Sequence, residues 1–144
     1  SLWLTITGGV TSLLEARDGV QILKQRVKNS VGHWDWAYLC GDDTFVIVEN
    51  LRKELLRQEH ASNSDSNESI PLYVGQPLIH RTVAGEEIRF QSGAAGYALN
   101  RVAAMKLRAA FLSNQHCGAG QGEDVMVAIC LAVKGVTPRE TSHE

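Results

Sequence analysis

Two adjacent carboxylates stand directly after a nearly continuous apolar run. The run is Trp36-Ala37-Tyr38-Leu39-Cys40, and the segment that follows it is Gly41-Asp42-Asp43-Thr44. Such a run is typical of a strand that is covered on both faces, and α/β proteins bind ligands at the ends of these strands. Carboxylate oxygens suit a hard divalent cation, and a cation held there can bridge to a diphosphate. The alternative is a solvated turn in which an aspartate caps the helix that follows.

Two later segments also contain residue types that suit a ligand site. Ser92-Gly93-Ala94-Ala95-Gly96-Tyr97 is rich in small residues, which let the backbone approach a ligand or another element closely. A tight bend between a strand and a helix has the same composition. Gly122-Glu123-Asp124-Val125 stands at the start of a predicted helix, where a carboxylate can act as a catalytic base or can simply be stabilised by the helix dipole. Taken singly, these segments leave both interpretations open.

Alternating strand and helix patterns surround these segments. Short β-favouring runs predict strands at 2–7, 36–40, 72–75 and 87–90, with a turn at Ala84-Gly85. Apolar residues at spacings of three and four predict helices at 11–31, from 48 to about 57, from 100 to about 112 and from 123 to about 134. This alternation predicts one α/β layered domain, or a large part of one, over residues 1–144, with a mainly parallel or mixed sheet.

The last two helices have predicted ends and inward faces. Asn100 is the expected cap of the first, and Gly135 is expected to end the second. The residues predicted to point inward are Val102, Met105, Ala109 and Leu112 in the first helix, and Met126, Ile129 and Val133 in the second. Residues 61–69, with the sequence ASNSDSNES, contain almost nothing to bury and predict a flexible polar loop within the domain.

Composition and charge exclude several classes of function. The 144 residues are 44% hydrophobic, which is enough for one sizeable core. The 14 basic residues are dispersed among 16 acidic ones, so no continuous positive surface is available for a nucleic acid. No apolar run approaches the roughly 20 residues that span a bilayer, and the opening SLWLTITGG lacks the basic start and cleavage site of a signal peptide. We therefore expect a soluble chain without nucleic-acid partners, cut from a longer protein whose missing part can contain a membrane anchor.

Five segments, taken in order and spacing along nearly the whole chain, resemble motifs of the Fringe-like glycosyltransferases. They are most similar to those of the core 1 β1,3-galactosyltransferases. The motifs are E-x-R-D at 15–18, D-W-x-x-x-x-D-D-D-T-[YF]-V at 35–46 with Glu49-Asn50-Leu51 after it, P-x-Y-x-G at 71–75, S-G-G-A-G-Y-x-L-S at 92–100 and E-D-V-x-x-x-x-C at 123–130. The combined match is more specific than any single motif.

The resemblance implies a GT-A-like, Rossmann-like fold with a mixed sheet, Mn²⁺ as the cofactor and a UDP-sugar as the donor. The implied reaction is an inverting, metal-dependent transfer of galactose from UDP-galactose to N-acetylgalactosamine on O-glycosylated serine or threonine, in a β1,3 linkage. The implied partners are therefore the UDP-sugar and a glycoprotein or glycan acceptor. The implied location is the Golgi lumen, as a type II membrane protein held by an N-terminal anchor absent from this chain.

The same resemblance implies roles for particular residues. Asp43 takes the position of the metal-binding acid, while Asp42, Gly93 and Ala94 fall in the segments that hold the nucleotide and the sugar. Asp124 takes the position of the general base, which removes the acceptor hydroxyl proton as that oxygen attacks the anomeric carbon.

The resemblance also implies roles for a histidine near the end of the chain and for two of the cysteines. His143 matches the histidine that completes the metal site, although the ending that contains it also resembles an earlier D-[ST]-R segment of the family. Cys117 and Cys130 occupy the positions of a disulfide that pins the catalytic helix, as suits an oxidising lumen. Cys40 is expected to be a small buried hydrophobe on its strand.

Two departures from the family pattern leave alternatives open. Gly41 stands where the family has the first of three consecutive acids. The family's first strands and helices, which hold the uridine, precede the matched region, so we expect an incomplete nucleotide pocket. The alternatives are a related β1,3-N-acetylglucosaminyl- or glucosyltransferase and a non-catalytic lumenal binding or chaperone-like homologue.

Overall fold

The computed structural model describes residues 2–7, 34–62, 70–113, 117 and 121–141. The strands are β1 Leu2–Thr7, β2 Trp36–Gly41, β3 Tyr73–Gly75, β4 Pro77–Arg81, β5 Glu87–Gln91, β6 Tyr97–Asn100 and β7 Arg139–Glu140; the helices are α1 Val48–Ser62, α2 Arg101–Ser113 and α3 Glu123–Ala132. The helix predicted at 11–31 lies outside the described residues. Within those residues, no helix has the length and apolar character needed to cross a membrane.

The main sheet is mixed, as the sequence predicts. Its strand order is β1-β2-β6-β3-β7. The pairs β1·β2 and β3·β7 are parallel, whereas β6 runs antiparallel to both β2 and β3. Because of this register, Thr7, Gly41, Gly75, Tyr97 and Glu140 all lie at one edge of the sheet. We refer to it below as the Gly41 edge.

Helices cover the sheet on both faces, which explains why β2 is apolar along its whole length. Trp36, Tyr38 and Cys40 pack with Leu55 of α1 on one face. The alternate residues Ala37 and Leu39 belong to the second cluster, which includes residues of α2 and α3 on the other face. The result is a three-layer arrangement in which the side chains of β2 alternate between two cores.

The inward face predicted for α2 is wrong, although its cap is correct. The Asn100 side chain accepts a hydrogen bond from the Ala103 amide at 3.0 Å, as expected of an N-cap. Met105 and Leu112, however, are 43% and 60% exposed. The face that packs inward consists of Ala103, Ala104, Leu107, Ala110 and Phe111. Because α2 is apolar on more than one side, periodicity alone could not select the face whose small alanines allow close contact with the sheet.

The start of α3 agrees with the prediction, but its end and its inward face differ in part. Met126 is buried, whereas Val133 lies past the last helical residue and is 57% exposed. Gly135 has φ +72, and its amide donates to the Ala132 carbonyl at 2.9 Å, while the Val136 amide donates to the Leu131 carbonyl at 3.0 Å. These bonds form a Schellman motif, which confirms that Gly135 ends the helix.

Some of the remaining strand, turn and loop predictions are confirmed, and others are wrong. The predicted strands near 72–75 and 87–90 are confirmed as β3 and β5, and the turn at Ala84-Gly85 is present, with Gly85 at φ +85. The short strands β4, β6 and β7 were missed. The predicted loop at 61–69 begins too early, because α1 continues to Ser62. Residues 63–69 lie outside the described part of the chain.

Asn100 provides a test of how β6, α2 and the segment before β3 are held together. Its Oδ1 accepts from the Ala103 and Leu72 amides at 3.0 and 2.9 Å, and its Nδ2 donates to the Ile70 carbonyl at 2.7 Å. We expect Asn100→Ala to lower the free energy of unfolding by about 2 kcal/mol, because the cap and the tie to 70–72 are both lost. Asn100→Asp keeps both acceptor contacts and should lose about half as much. Denaturant titration of the two variants measures the difference, and equal losses would contradict this account.

Candidate functional site

The acid turn, which we define as Gly41-Asp42-Asp43-Thr44, begins where β2 ends. The Thr44 amide donates to the Gly41 carbonyl at 3.3 Å, and the side chains of Asp42 and Asp43 are exposed. Helix α1 begins only at Val48. Neither aspartate therefore caps that helix, and the capping alternative does not account for this pair.

The Asp43 carboxylate lies close to the space that a side chain at position 41 would fill. A Cβ atom built on Gly41 would lie 2.8 Å from Oδ1 of Asp43. The contact is with the far end of a flexible side chain, so a larger residue at position 41 requires the carboxylate of Asp43 to turn away. The conformation of Asp43 and the identity of residue 41 are thus linked.

The Ser92–Gly96 turn lies against the acid turn. The Thr44 hydroxyl donates to the Ala94 carbonyl at 3.0 Å, and the Tyr38 hydroxyl donates to the Ala95 carbonyl at 2.9 Å. Gly96 has φ +80, and a Cβ atom placed on it would collide with the Tyr38 hydroxyl oxygen. Glycine is required at position 96 both by the backbone conformation and by the close approach of β2.

Asp124 contacts the same turn from α3. Its Oδ2 accepts a hydrogen bond from the Gly93 amide at 3.0 Å, and its Oδ1 accepts one from the Val125 amide at 2.8 Å. The second bond satisfies a free amide of the first helical turn, so Asp124 does contribute to the helix start. The first bond places Asp124 beside Gly93, while the acid turn contacts the adjacent Ala94. The structure thereby brings three predicted site segments together through one turn.

Glu123 occupies a different environment from its neighbour Asp124. It accepts a hydrogen bond from the phenol of Tyr97, which is almost fully buried and packs edge-on against Tyr73. Burial raises the pKa of the Glu123 carboxyl, the hydrogen bond from Tyr97 opposes this, and the charge of Asp124 adds to it. Burial, and then the charge of Glu123, raises the pKa of Tyr97 well above its ordinary value.

A disulfide joins Cys117 to Cys130, with 5.3 Å between the Cα atoms. This confirms the pairing expected from the family resemblance and ties the last turn of α3 to the preceding segment. Cys40 is buried on β2, as predicted.

Two predicted parts of the site are not described by the structure. The motif at 15–18 and His143 both lie outside the described residues. The Thr141 amide donates to the Gly75 carbonyl at 3.2 Å, so the chain is at the Gly41 edge two residues before His143. In the portion that is described, no group of three or more His, Cys, Asp or Glu side chains is arranged to hold a metal ion.

An open groove of about 610 Å³ lies at the opposite edge of the sheet. Asp35, Glu59, Asn100 and Arg101 contribute to its lining. None of the site residues predicted from the sequence lines this groove, so it is separate from the acid turn and from Asp124.

Comparison with known proteins agrees with the family suggested by the motifs. No family model matches the chain. The chain is 30% identical over 117 residues to glycoprotein-N-acetylgalactosamine 3-beta-galactosyltransferase 1 of Xenopus laevis. The chain therefore resembles the core 1 β1,3-galactosyltransferases over part of their length. The match covers 76% of this chain and 29% of the frog protein.

Within this galactosyltransferase-like chain, sequence reasoning missed the residues that hold the site segments in place. Tyr38, Thr44 and Tyr97 act through side-chain hydroxyls that reach backbone or carboxylate groups far along the chain. The signal for Tyr97 was its position at the end of the glycine-rich segment, opposite a helix that begins with two acids. Tyr38 gave no signal, because a tyrosine in an apolar run is indistinguishable from a core residue.

The largely buried carboxyl of Glu123 predicts a pH-dependent stability difference. Because its folded pKa is raised, the folded state retains a proton that the unfolded chain begins to release near pH ~4.3. Wild type should therefore lose stability relative to Glu123→Gln as the pH rises from this value through the raised folded pKa. Unfolding titrations of both proteins between pH ~4 and ~8 test this, and a constant difference would contradict it. Tyr97→Phe should strengthen the pH dependence, because the phenol stabilises the charged carboxylate.

Proposed function

We propose that this chain is the catalytic part of a metal-dependent, inverting glycosyltransferase of the GT-A type that uses a UDP-sugar. The observation that carries the proposal is the meeting of two sets of acids at one turn. Thr44, next to Asp43, bonds to Ala94, and Asp124 bonds to the adjacent Gly93. A glycosyl transfer needs a donor-binding acid and a base around one anomeric carbon, and these contacts support such an arrangement.

Asp124 is the proposed general base. Backbone amides hold both of its oxygens, and each oxygen retains a lone pair that can take the acceptor hydroxyl proton. The proton would pass to a carboxylate oxygen as the acceptor oxygen attacks the anomeric carbon, and UDP would leave from the opposite face. Asp42, Gly93 and Ala94 are the proposed contacts of the donor's nucleotide and sugar.

Asp43 is the proposed metal ligand, together with His143. Its carboxylate is exposed at the Gly41 edge and is an oxygen ligand of the kind that Mn²⁺ accepts. A bound cation would supply positive charge close to the departing diphosphate. Asp43 and His143 would supply two protein ligands, and the oxygens of the UDP diphosphate would supply further ones. We therefore expect metal affinity to depend strongly on the nucleotide.

The proposed donor is UDP-galactose, and the proposed acceptor is N-acetylgalactosamine on serine or threonine of a glycoprotein. The name of the frog relative describes a galactosyl transfer of this kind for that protein, and its similarity to this chain supports the extension. A related N-acetylglucosaminyl- or glucosyltransferase would use the same motifs, because these serve the shared donor diphosphate and metal more than the sugar. The proposed location is the Golgi lumen, with a type II membrane anchor in the full-length protein. The Cys117–Cys130 disulfide suits an oxidising compartment of this kind.

A second candidate function is a non-catalytic lumenal binding protein that keeps the fold. Gly41 favours it, because the residue that replaces the family's first acid has no side chain. The two candidates differ in whether the full-length protein transfers a sugar.

Two substitutions separate metal binding from proton transfer. In the full-length protein, Asp43→Asn should weaken UDP–Mn²⁺ binding and remove most manganese-dependent transfer, because a ligand charge is lost. Asp124→Asn should leave UDP–Mn²⁺ binding unchanged and slow transfer by about 10²-fold or more. Calorimetry with UDP and Mn²⁺ and a transfer assay measure the two effects. Nucleotide binding that is unaffected by Asp43→Asn would refute the metal assignment.

Restoring the family's acid tests the second candidate. Gly41→Asp should raise the transfer rate if the missing carboxylate limits activity, provided that the Asp43 carboxylate can turn away from position 41. Gly41→Ala is the matched control, because it moves the Asp43 carboxylate without adding a charge. An absence of transfer by both wild type and Gly41→Asp would favour the non-catalytic protein.

A further inference from the structure

Three consecutive residues of the Ser92–Gly96 turn are each held by a side chain from a different part of the fold. The Gly93 amide bonds to Asp124 of α3, the Ala94 carbonyl accepts from Thr44, and the Ala95 carbonyl accepts from Tyr38 of β2. Within the turn, the Gly96 amide donates to the Gly93 carbonyl at 3.2 Å. The turn is therefore fixed from three directions.

The hydrogen bond from Thr44 to Ala94 connects the Ser92–Gly96 turn to the segment that contains Asp43. Thr44 directly follows Asp43 in the chain, and Ala94 directly follows Gly93. A short path thus leads from Asp43 through the Thr44–Ala94 hydrogen bond to Gly93, and then through the Gly93–Asp124 hydrogen bond to Asp124. Tyr38, by contrast, ties the turn to the sheet and not to an acid.

Thr44 is held firmly enough to position the residues that it contacts. Its backbone amide is bonded to the Gly41 carbonyl at 3.3 Å, so main chain and side chain are both held. A β-branched side chain also has few χ1 rotamers available, so the hydroxyl direction is restricted. A water molecule cannot reproduce this restriction if the hydroxyl is removed.

We propose that Thr44 is a positioning residue that sets the distance between Asp43 and Asp124 by holding the Ser92–Gly96 turn. This inference rests on the proposed glycosyl transfer. Reacting groups lose rate steeply when they are misplaced by about an ångström. The loss of the Thr44 hydroxyl therefore slows the chemical step more than it weakens the fold or the binding of either substrate.

The test uses three single variants of the full-length protein. Thr44→Val removes the hydroxyl and keeps the shape; it should lower kcat about tenfold and leave the donor KM within about twofold. Thr44→Ser keeps the hydroxyl and should restore most of the rate. Thr82→Val is the control, because Thr82 is another turn threonine whose hydroxyl accepts a local hydrogen bond from the Glu86 amide at 3.1 Å, and the variant should leave kcat unchanged.

A double variant distinguishes positioning from a general structural defect. If Thr44 acts through Asp124, then Thr44→Val in the Asp124→Asn background should reduce transfer by less than about twofold further. A full tenfold loss in that background would overturn the proposal, and so would an unchanged kcat in Thr44→Val or a failure of Thr44→Ser to restore it.

Hydrogen exchange keeps this inference separate from the proposed function. The Gly93 amide, which is bonded to Asp124, should exchange several-fold faster in Thr44→Val than in wild type or Thr44→Ser. If wild type transfers no sugar, the proposed function fails, while faster exchange would still support the link from Thr44 to Asp124. Unchanged exchange at Gly93 would overturn that link whatever the activity.

Discussion

Burial of β2 on both faces is the constraint on which the rest of the structure depends. A slip of one residue would exchange the side chains of β2 between two cores, so that the bulky Trp36 and Tyr38 would enter the core that holds Ala37 and Leu39. The register of β2 against β1 and β6 is therefore fixed, and with it the point at which the chain leaves the sheet at Gly41. The acid turn has a defined position because the strand before it has no freedom to shift.

The Gly41 edge also shows how side chains satisfy backbone groups that the sheet leaves unpaired. The carbonyls of Ala94 and Ala95 accept from Thr44 and Tyr38. In β7, which is the last strand in the order of the main sheet, the carbonyls of Glu140 and Arg139 accept hydrogen bonds from the buried glutamines Gln58 and Gln91 at 3.1 and 2.6 Å. Two glutamines from different elements thus hold a strand of two residues, which its few ladder hydrogen bonds alone would secure poorly.

The features that were predicted correctly have a clear signal in the residue types, either along a run of residues or at a helix end. The apolar run 36–40 indicated a strand covered on both faces, and Asn100 and Gly135 indicated helix ends by known capping chemistry. β6 was missed because the strand has only four residues and α2 begins immediately after it. The inward face of α2 was assigned wrongly because alanine is a weak hydrophobic signal compared with Met105 and Leu112. The contacts of the candidate site could not be predicted, because they involve backbone groups of Gly93 and Ala94, whose positions depend on the complete fold.

Glu123 and Asp124 illustrate how environment divides the roles of two neighbouring carboxyl groups. Glu123 is directed towards the buried phenol of Tyr97, which donates a hydrogen bond to it, and burial raises the pKa of its carboxyl. A carboxyl engaged in this way is less accessible to an acceptor sugar. Asp124 points instead towards the Ser92–Gly96 turn, and backbone amides fix the direction of both of its oxygens. A base needs a lone pair that is both oriented and accessible. The geometry therefore favours Asp124 for proton transfer, whereas Glu123 holds the Tyr97 phenol that follows the turn.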